Sequence, residues 1–342
     1  SDITVRWLSE NPSYGDADNP LKPDVGMELW YGITDWNDGA QSNWLLIERG
    51  YEYEDLGRLV TRGIEGESAL QPTYIGAYGE GAKPVIHSVL NAYQEPSQNV
   101  VVQGLEFTSK VKVLDGENVL FDNLSLDGAS FNIQNVDGIT IRGTDVIDNY
   151  REEPLNDGDL WDQPLNRTSG LYASENEGLL IEDTFFDHNG WSPDYSYDKL
   201  AEYPQPPSMY SQNVYIQNDN LDVTFRDNIT MRAASFGAQI RSGGYIEDNV
   251  FLDNNAGVGF LGGNYRDAGH IGNYSLFADN VVTSGAHKTV ASHIGALTWG
   301  VADGGRETTL IDNVITHLAD PNNPDEQAEK EWAHSPLQQD FE

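Results

Sequence analysis

The stretch Phe225-Arg-Asp-Asn-Ile-Thr-Met231 decides the fold, because variants of it recur along the chain. Each variant has an apolar residue, a polar residue, Asp or Gly, usually Asn or Thr, and then a second short apolar stretch. Such a series is typical of a solenoid, in which each repeat buries its apolar face only by stacking on its neighbours. The other variants are residues 102–108, 120–126, 141–147, 181–187, 246–252, 277–283 and 311–316.

The spacing of the repeat is counted at one marker position, which is Asn228 in the stretch Phe225–Met231. Its gaps are 18, 21, 40, 44, 21, 31 and 33 residues, so short gaps fit one turn of three short strands and long gaps add an inserted loop. The alternation of apolar and polar residues predicts strands and not helices. A recurring Asn predicts side-chain amides that stack and bond from coil to coil. The alternative is a β-sandwich with coincidental Asp-Asn turns. The marker residues are Leu105, Asn123, Thr144, Thr184, Asn228, Asn249, Asn280 and Asn313.

The chain resembles the right-handed parallel β-helix, or pectate-lyase-like, superfamily of carbohydrate-active proteins. The resemblance covers about residues 44 to 317 and includes Leu46-Ile-Glu-Arg-Gly50 and Pro72-Thr-Tyr-Ile-Gly-Ala-Tyr-Gly79. It implies an all-β fold: a single-stranded right-handed parallel β-helix of about eight or nine coils with an N-terminal cap and long loops. At about 4.8 Å per coil, the rod would be on the order of 40 Å long.

We expect one domain with three regions. Residues 1–43 are predicted to cap one end, with Trp7, Trp30, Trp36 and Trp44 shielding the first coil. Residues 44–318 form the β-helix, and residues 319–342 form an irregular tail.

The charge narrows the possible partners. Among 342 residues, 55 acidic side chains oppose 19 basic ones, which gives a net charge of −36. Nucleic acid is excluded as the main partner, because phosphate contacts require clustered Lys and Arg. An anionic membrane surface is disfavoured for the same reason.

The absence of Cys excludes disulfides and thiolate chemistry. We expect a secreted or extracellular (or periplasmic) monomer.

A polar face is predicted on the strand that precedes each marker strand. There Val111, Phe131, Val214, Ala238 and Val258 should point inward, so their neighbours point outward. Such amide-rich and aromatic columns suit sugar hydroxyls and ring faces. One outward column is Lys112, Asn132, Tyr172, Tyr215, Gln239 and Gly259, and the next is Leu114, Gln134, Ser174, Gln217, Arg241 and Leu261.

Two long insertions, residues 150–168 and 190–212, are predicted to border this face. They contain Arg151, Trp161 and Trp191 and could wall a groove. The alternative is that their aromatic residues simply pack the loops.

The resemblance and the polar face together predict a polysaccharide as partner, and a lyase that cleaves a uronic-acid polymer such as alginate or pectin by β-elimination. That reaction needs a base for the C5 proton, an acid for the leaving oxygen, and a cation for the carboxylate. The predicted catalytic residues are Tyr172, Tyr215, His188 and Arg241. The predicted substrate-binding residues are Arg151, Asn132, Gln217, Gln239, Trp191 and Trp161. Structural roles for His188 and Arg241 are the alternative.

Calcium is a predicted cofactor. Asp157, Asp159 and Asp162 offer the oxygen ligands that a hard cation prefers, although a solvated acidic loop would have the same composition.

Other functions stay open. A glycoside hydrolase would need two carboxyls, with Glu175, Asp187 and Asp219 as candidates. A C5-epimerase would share the first step of the lyase reaction, and a non-catalytic glycan-binding β-helix would need no titratable cluster. The negative charge argues against a polyanionic substrate unless the groove is locally basic or calcium bridges the carboxylates. Signature motifs of named subfamilies are absent from the sequence, such as the Gly-His-Gly of polygalacturonases.

Overall fold

A computed structural model describes residues 4–10, 21–34, 42–57, 59, 63–92, 95–157, 160–161, 165–195, 205–260, 274–284, 300–303, 307–317 and 337–339. The chain forms two compact units. The first consists of Ser1–Asp145 and Glu175–Leu180, and the second of Val146–Ser174 and Ile181–Glu342.

The first unit begins with a strand and a helix and continues with short strands. Its described elements are β1 (Val5–Leu8), α1 (Pro23–Thr34), β2 (Trp44–Glu48), β3 (Glu52–Tyr53), β4 (Thr73–Tyr78), β5 (Val85–Ile86), β6 (Leu90–Ala92), β7 (Ser97–Gln103), β8 (Glu106–Phe107), β9 (Val111–Val113), β10 (Gly116–Asp122), β11 (Ser125–Asp127), β12 (Phe131–Gln134) and β13 (Val136–Arg142).

The second unit is again built from short strands, and β14 and β18 contain residues of both units. The described strands are β14 (Asp145–Ile147), β15 (Asn156–Asp157), β16 (Leu160–Trp161), β17 (Leu171–Ser174), β18 (Glu177–Glu182), β19 (Phe185–Asp187), β20 (Val214–Ile216), β21 (Leu221–Arg226), β22 (Ile229–Met231), β23 (Phe236–Ile240), β24 (Gly244–Glu247), β25 (Val250–Asn254), β26 (Ala256–Gly259), β27 (Tyr274–Ala278), β28 (Val281–Ser284), β29 (Val301–Asp303), β30 (Glu307–Ile311), β31 (Val314–His317) and β32 (Leu337–Gln339).

Three parallel sheets recur in each unit, which confirms the predicted β-helix. In the first unit the sheets run β1-β2-β4-β7-β10-β13, β3-β5-β8-β11 and β6-β9-β12. In the second unit they run β21-β24-β27-β30, β19-β22-β25-β28-β31 and β17-β20-β23-β26-β29-β32. A complete coil, such as β7, β8 and β9, contributes one strand to each sheet. The short pair β15–β16 is antiparallel. We name these sheets A, B and C in the order given.

The N-terminal region contributes both a strand and a helix. Strand β1 pairs in parallel with β2 in sheet A. Trp30 of α1 is fully buried, and its indole N–H donates to the carbonyl of Leu59 at 2.9 Å. Trp36 lies outside the described residues. Among the described helical residues, no helix is long and apolar enough to cross a membrane. The division into cap, β-helix and tail stays a prediction.

Asparagines stack at the corner between sheets A and B of the second unit, as the repeat predicts. The backbone N–H groups of Asn228, Asn249 and Asn280 each donate to the side-chain oxygen of the next marker Asn, at 2.9 to 3.0 Å. The ladder ends at Asn313, and its first rung is the Thr184 N–H, which donates to Asn228 at 3.0 Å. These buried amides satisfy backbone groups that a tight corner would otherwise leave unpaired.

The marker assignment at Asn123 was wrong by one residue. Asn123 is exposed with φ of 53°, and the N–H of Leu124 donates to Thr144 Oγ1 at 3.2 Å, so Leu124 holds the ladder position. The residue before each ladder position has the left-handed conformation, which Gly, Asn and Asp tolerate best. These left-handed residues are Gly104, Asn123, Gly143, Asp183, Asp227, Asp248, Asp279 and Asp312.

Phenylalanines stack inside the second unit from coil to coil. The ring centroids of Phe186 and Phe225 lie 6.4 Å apart, those of Phe225 and Phe251 6.2 Å, and those of Phe251 and Phe277 6.1 Å. All four rings are fully buried. The inward positions predicted for the sheet C strands are buried too: Val111, Phe131, Val214, Ala238 and Val258.

Replacing Asn249 by Ala should destabilise the protein strongly. The substitution leaves the Asn228 N–H and the carbonyl of Phe225 without their partner. We expect the free energy of unfolding to fall by about 2–4 kcal/mol, since each buried unsatisfied group costs about 1–3 kcal/mol. Urea denaturation followed by circular dichroism measures it. Asn123→Gly is the matched control, because it removes an exposed amide while keeping a tolerated φ; an equal loss in both variants would contradict the ladder's role.

Candidate functional site

Two tyrosines lie side by side on the outer face of sheet C in the second unit. Tyr172 of β17 stands opposite Tyr215 of β20, and Gln239 of β23 stands opposite Tyr215. The tyrosine ring centroids are 5.8 Å apart with an interplanar angle of 57°. Their strand neighbours Leu171 and Val214 are fully buried, so alternation fixes the tyrosines on the outside. All three outward side chains are half-buried.

Arg241 lies over this pair. Its Nη1 donates to Tyr215 Oη at 2.8 Å and to Gln217 Oε1 at 2.7 Å, and its guanidinium carbon is 6.0 Å from the centroid of the Tyr215 ring. Its Nε is shielded from solvent and has no hydrogen-bond partner among the residues that the structure describes. We call Tyr172, Tyr215, Gln217, Gln239 and Arg241 the tyrosine–arginine face. Five of the predicted site residues therefore come together.

The guanidinium of Arg241 forms no ion pair with any described residue, unlike two other arginines of the same unit. Arg226 pairs with Glu182 at 2.6 Å, and Arg232 pairs with Asp187. In a chain with 55 acidic side chains, an arginine without a carboxylate partner is available for an anionic ligand.

The second insertion borders the tyrosine–arginine face, as predicted, at Gln239. Gln212 is almost fully buried, and its Nε2 donates to the carbonyl of Met209 at 2.8 Å and to Gln239 Oε1 at 3.4 Å. Ser169 Oγ, at the end of the first insertion, donates to Gln212 Oε1 at 3.4 Å. The loop segments are thus tied to an outward side chain of the face.

One carboxylate is attached to the next outward column of sheet C. Ser174 Oγ donates to the two carboxylate oxygens of Asp219 at 3.0 and 3.2 Å. Among the described contacts, Asp219 is therefore the hydrolase candidate that is hydrogen-bonded to a strand of sheet C.

Gln205 joins the two insertions, a role that the sequence did not reveal. Its side-chain Nε2 donates at 3.1 Å to the carbonyls of Asn166 and Gly190 and to Thr168 Oγ1. Its Oε1 accepts from the Arg151 N–H at 2.6 Å. Gln205 is fully buried. No sequence signal distinguishes it, because any Gln in a Pro-rich loop looks the same before the segments meet.

His188 occupies a separate environment at the end of β19. It is left-handed with φ of 53°, its Nδ1 lies 2.5 Å from Asp148 Oδ1, and its side chain is 6% exposed. The rings of Tyr150 and Trp191 pack edge-on against it, with centroids 5.7 and 4.4 Å away. The described contacts bring His188 to Asp148, Tyr150 and Trp191, and not to the tyrosine–arginine face.

Asp187, another carboxylate considered for hydrolysis, is held by an arginine. Arg232 Nε donates to Asp187 Oδ1 at 2.8 Å, and Nη2 donates to Oδ2. This bidentate bond is the main cause that raises the pKa of the Arg232 guanidinium. The Arg232 carbonyl also accepts the indole N–H of Trp191 at 2.7 Å. Asp187 and Trp191 therefore both have structural partners.

The remaining predicted residues are dispersed. Arg151 is exposed, and Asn132 of the first unit accepts from Gln134 Nε2 at 2.7 Å. Asp157 and Trp161 lie on the antiparallel pair β15–β16. Asp159 and Asp162 lie outside the described residues. The calcium site stays a prediction.

Replacing Gln205 by Leu should loosen both insertions. The change keeps the volume but leaves the Arg151 N–H and the buried carbonyls of Asn166 and Gly190 without that partner. We expect faster limited proteolysis within residues 150–168 and 190–212, and a loss of about 2–4 kcal/mol of stability from buried unsatisfied groups. Gln98→Leu, on an outward position of β7, is the control. If the proteolysis rates of the two variants match, Gln205 does not join the loops.

Comparison with known proteins gives likeness in fold alone. No protein-family model matches the chain, and none of the curated proteins compared with it matches. Among solved structures, it is similar to the alginate lyase from Paenibacillus sp. str. FPU-7, with 10% identity, a TM-score of 0.42, and 93% of this chain and 98% of that chain covered. For PfbA, a surface adhesin of Streptococcus pneumoniae, the values are 9%, 0.40, 92% and 92%. For the Dettilon tailspike protein they are 11%, 0.44, 97% and 57%. At such identities and TM-scores no argument about activity follows, and the parallel β-helix rests on the strand pairing of the chain itself.

Proposed function

We propose that the protein is a polysaccharide lyase that cleaves a uronic-acid-containing glycan on the tyrosine–arginine face. The observation that supports this most is Arg241, whose guanidinium is hydrogen-bonded to the hydroxyl of Tyr215 and has no carboxylate partner among the described residues. A cation next to a phenol, on a face lined by aromatic rings and amides, suits a sugar that carries a carboxylate.

Recognition of the carboxylate is the first step. The uronate carboxylate accepts hydrogen bonds from the guanidinium of Arg241, a charge-assisted contact about twice as strong as a neutral one. The amides of Gln217 and Gln239 bond to sugar hydroxyls, and the ring of Tyr172 packs on a sugar face.

Elimination follows at the same place. The phenolic oxygen of Tyr215 takes the proton from C5 of the uronate, and the electron pair of that C–H bond forms the C4–C5 double bond. The C4–O bond breaks, and its electrons go to the leaving oxygen, to which Tyr215 returns the proton. Arg241 stabilises the charge that builds on the carboxylate as C5 loses its proton.

The charge of the whole protein opposes this substrate at long range. A net charge of −36 repels a polyanion until salt screens the repulsion. We propose that the protein acts outside the cell, where polysaccharide substrates occur. We also propose that the calcium predicted at Asp157, Asp159 and Asp162 bridges to substrate carboxylates and so offsets the repulsion.

A lyase assay tests the proposal. The purified protein, with and without chelator, is mixed with alginate, pectate, other uronate polymers and neutral glycans. We expect ultraviolet absorbance to rise on a uronate polymer, because elimination makes an unsaturated sugar. A rise in reducing ends without absorbance would indicate hydrolysis, with Asp219 as the first candidate, and would contradict the lyase. Inversion at C5 without cleavage would indicate an epimerase.

Two substitutions test the site. Tyr215→Phe removes the proton carrier, and we expect kcat to fall at least 100-fold, within the about 10²–10⁴-fold range of general acid–base catalysis. Arg241→Gln should raise KM and lower kcat together. Tyr245→Phe and Arg226→Gln make the same chemical changes on sheet A and serve as controls. Unchanged kcat/KM in Tyr215→Phe would remove this residue from the mechanism.

Raising the ionic strength should lower KM for an acidic substrate. Raising it from about 0.01 M to about 0.15 M shortens the Debye length from about 30 Å to about 8 Å. We expect KM for a uronate polymer to fall, because the repulsion between two polyanions is screened. Initial rates across a NaCl series measure the effect. A steady rise in KM would mean that attraction to local basic residues dominates the encounter.

A further inference from the structure

The outer face of sheet B in the first unit carries a histidine and two glutamates, none of which belongs to the proposed lyase site. Strands β3 and β5 pair in register, with Tyr53 opposite Ile86. Both residues are fully buried, so the residues that flank them point outward. Glu52, Glu54 and His87 are three of the four flanking residues, and Val85 is the fourth. The backbone N–H of His87 donates to the carbonyl of Tyr53 at 3.2 Å.

The three side chains converge on one point. His87 Nε2 lies 3.6 Å from Glu52 Oε2 and 3.9 Å from Glu54 Oε1, and one ligand atom of each residue lies within 4.8 Å of the others. These separations are too long for hydrogen bonds. Zinc bonds of about 2.0–2.2 Å at tetrahedral angles place ligand atoms about 3.3–3.6 Å apart. The two distances from His87 Nε2 are therefore at or slightly above those that one metal ion requires, and the exposed glutamate side chains would move inward to bind it.

The imidazole of His87 is oriented by its other nitrogen. Nδ1 lies 2.9 Å from Thr108 Oγ1 on the neighbouring coil, and Ser109 Oγ donates to the His87 carbonyl at 2.8 Å. When Nδ1 donates its proton to Thr108, the lone pair of Nε2 points toward the glutamates. This is the arrangement that fixes metal-binding histidines in proteins.

Among the described residues, His87 Nε2 has no hydrogen-bond partner, and this atom is shielded from solvent although the side chain is 30% exposed. In the tautomer that bonds Thr108 through Nδ1–H, the lone pair of Nε2 faces two carboxylates, and a cation between the three groups would relieve that contact. The position of this nitrogen, in addition to the acidity of the neighbourhood, therefore favours a metal ion.

The charges around the cluster are mainly negative. Glu106 of β8 stands opposite Val85 of β5. Burial, and secondly the negative charge of Asp127, raise the pKa of the Glu106 carboxyl. Lys83 is a cation of this neighbourhood; it donates to Ser125 Oγ at 3.0 Å, and burial lowers its pKa. A bound divalent cation would offset this excess of negative charge.

We propose that Glu52, Glu54 and His87 form a binding site for a divalent transition-metal ion of the Zn²⁺ class. One imidazole nitrogen with carboxylate oxygens suits Zn²⁺, whereas Ca²⁺ takes oxygen ligands alone. The ion would join two successive coils of the first unit on their outer face. The site is separate from the proposed lyase chemistry, so each can fail without the other.

Isothermal titration of the full chain with ZnCl₂, in a buffer that does not bind metals, tests the site. We expect one Zn²⁺ per chain at a site that binds Ca²⁺ at least tenfold more weakly. His87→Gln should lower the Zn²⁺ affinity at least tenfold. The double variant Glu52→Gln/Glu54→Gln should do the same, and its fold should survive because these side chains are 69% and 82% exposed.

The control removes two exposed acids elsewhere in the same unit. Glu80→Gln/Glu117→Gln makes the same change in charge and should keep the wild-type affinity. Circular dichroism of every variant verifies the fold. Equal Zn²⁺ affinity in the wild type and the double variant at Glu52 and Glu54 would overturn the proposal, as would the absence of a one-to-one site. Equal losses in both double variants would mean that Zn²⁺ responds to total charge and would overturn it too.

Discussion

The parallel register between successive coils is the constraint on which the rest of the structure depends. A column of outward side chains forms because each residue lies opposite the equivalent residue of the next coil, as Tyr172 lies opposite Tyr215. Since side chains alternate between the two faces, a slip of one residue would bury Tyr215 and expose Val214. The Asn ladder holds the register at one corner and the stacked phenylalanines hold it inside. The outer faces are left to carry charge and function.

The acidity of the chain is compatible with this architecture because the coils bury apolar residues and place acids on corners and outer faces. The left-handed corner positions illustrate this, since Asp183, Asp227 and Asp248 occupy them. In so acidic a chain, the hydrogen-bond partners of each arginine show whether it neutralises a nearby acid or is available to a ligand. Arg226 and Arg232 are paired with acids, whereas Arg241 is bonded to a phenol and an amide. The lyase proposal depends on that contrast within the second unit, and not on the likeness to other β-helix proteins.

The outer face of sheet C in the second unit and that of sheet B in the first unit differ in chemistry for a local reason. On sheet C of the second unit, aromatic and amide side chains lie opposite one another, which favours a sugar. On sheet B of the first unit, two carboxylates lie within 4 Å of an imidazole nitrogen, which favours a metal ion. In both places the backbone is the same, so the identity of the outward residue at each register position decides the ligand.

The sequence by itself determined the coil, the inward positions and the outward columns, because a period of two within each strand and a recurring Asn between strands are local patterns. It also predicted that Tyr172, Tyr215, Gln217, Gln239 and Arg241 share a face. The tertiary structure decided what local patterns do not encode. It separated His188 from that face, because a loop of 23 residues follows it and no periodicity constrains a loop. It joined the insertions at Gln205 and brought Glu52, Glu54 and His87 together across 35 residues of chain, since contacts between residues far apart in sequence form only when the coils stack.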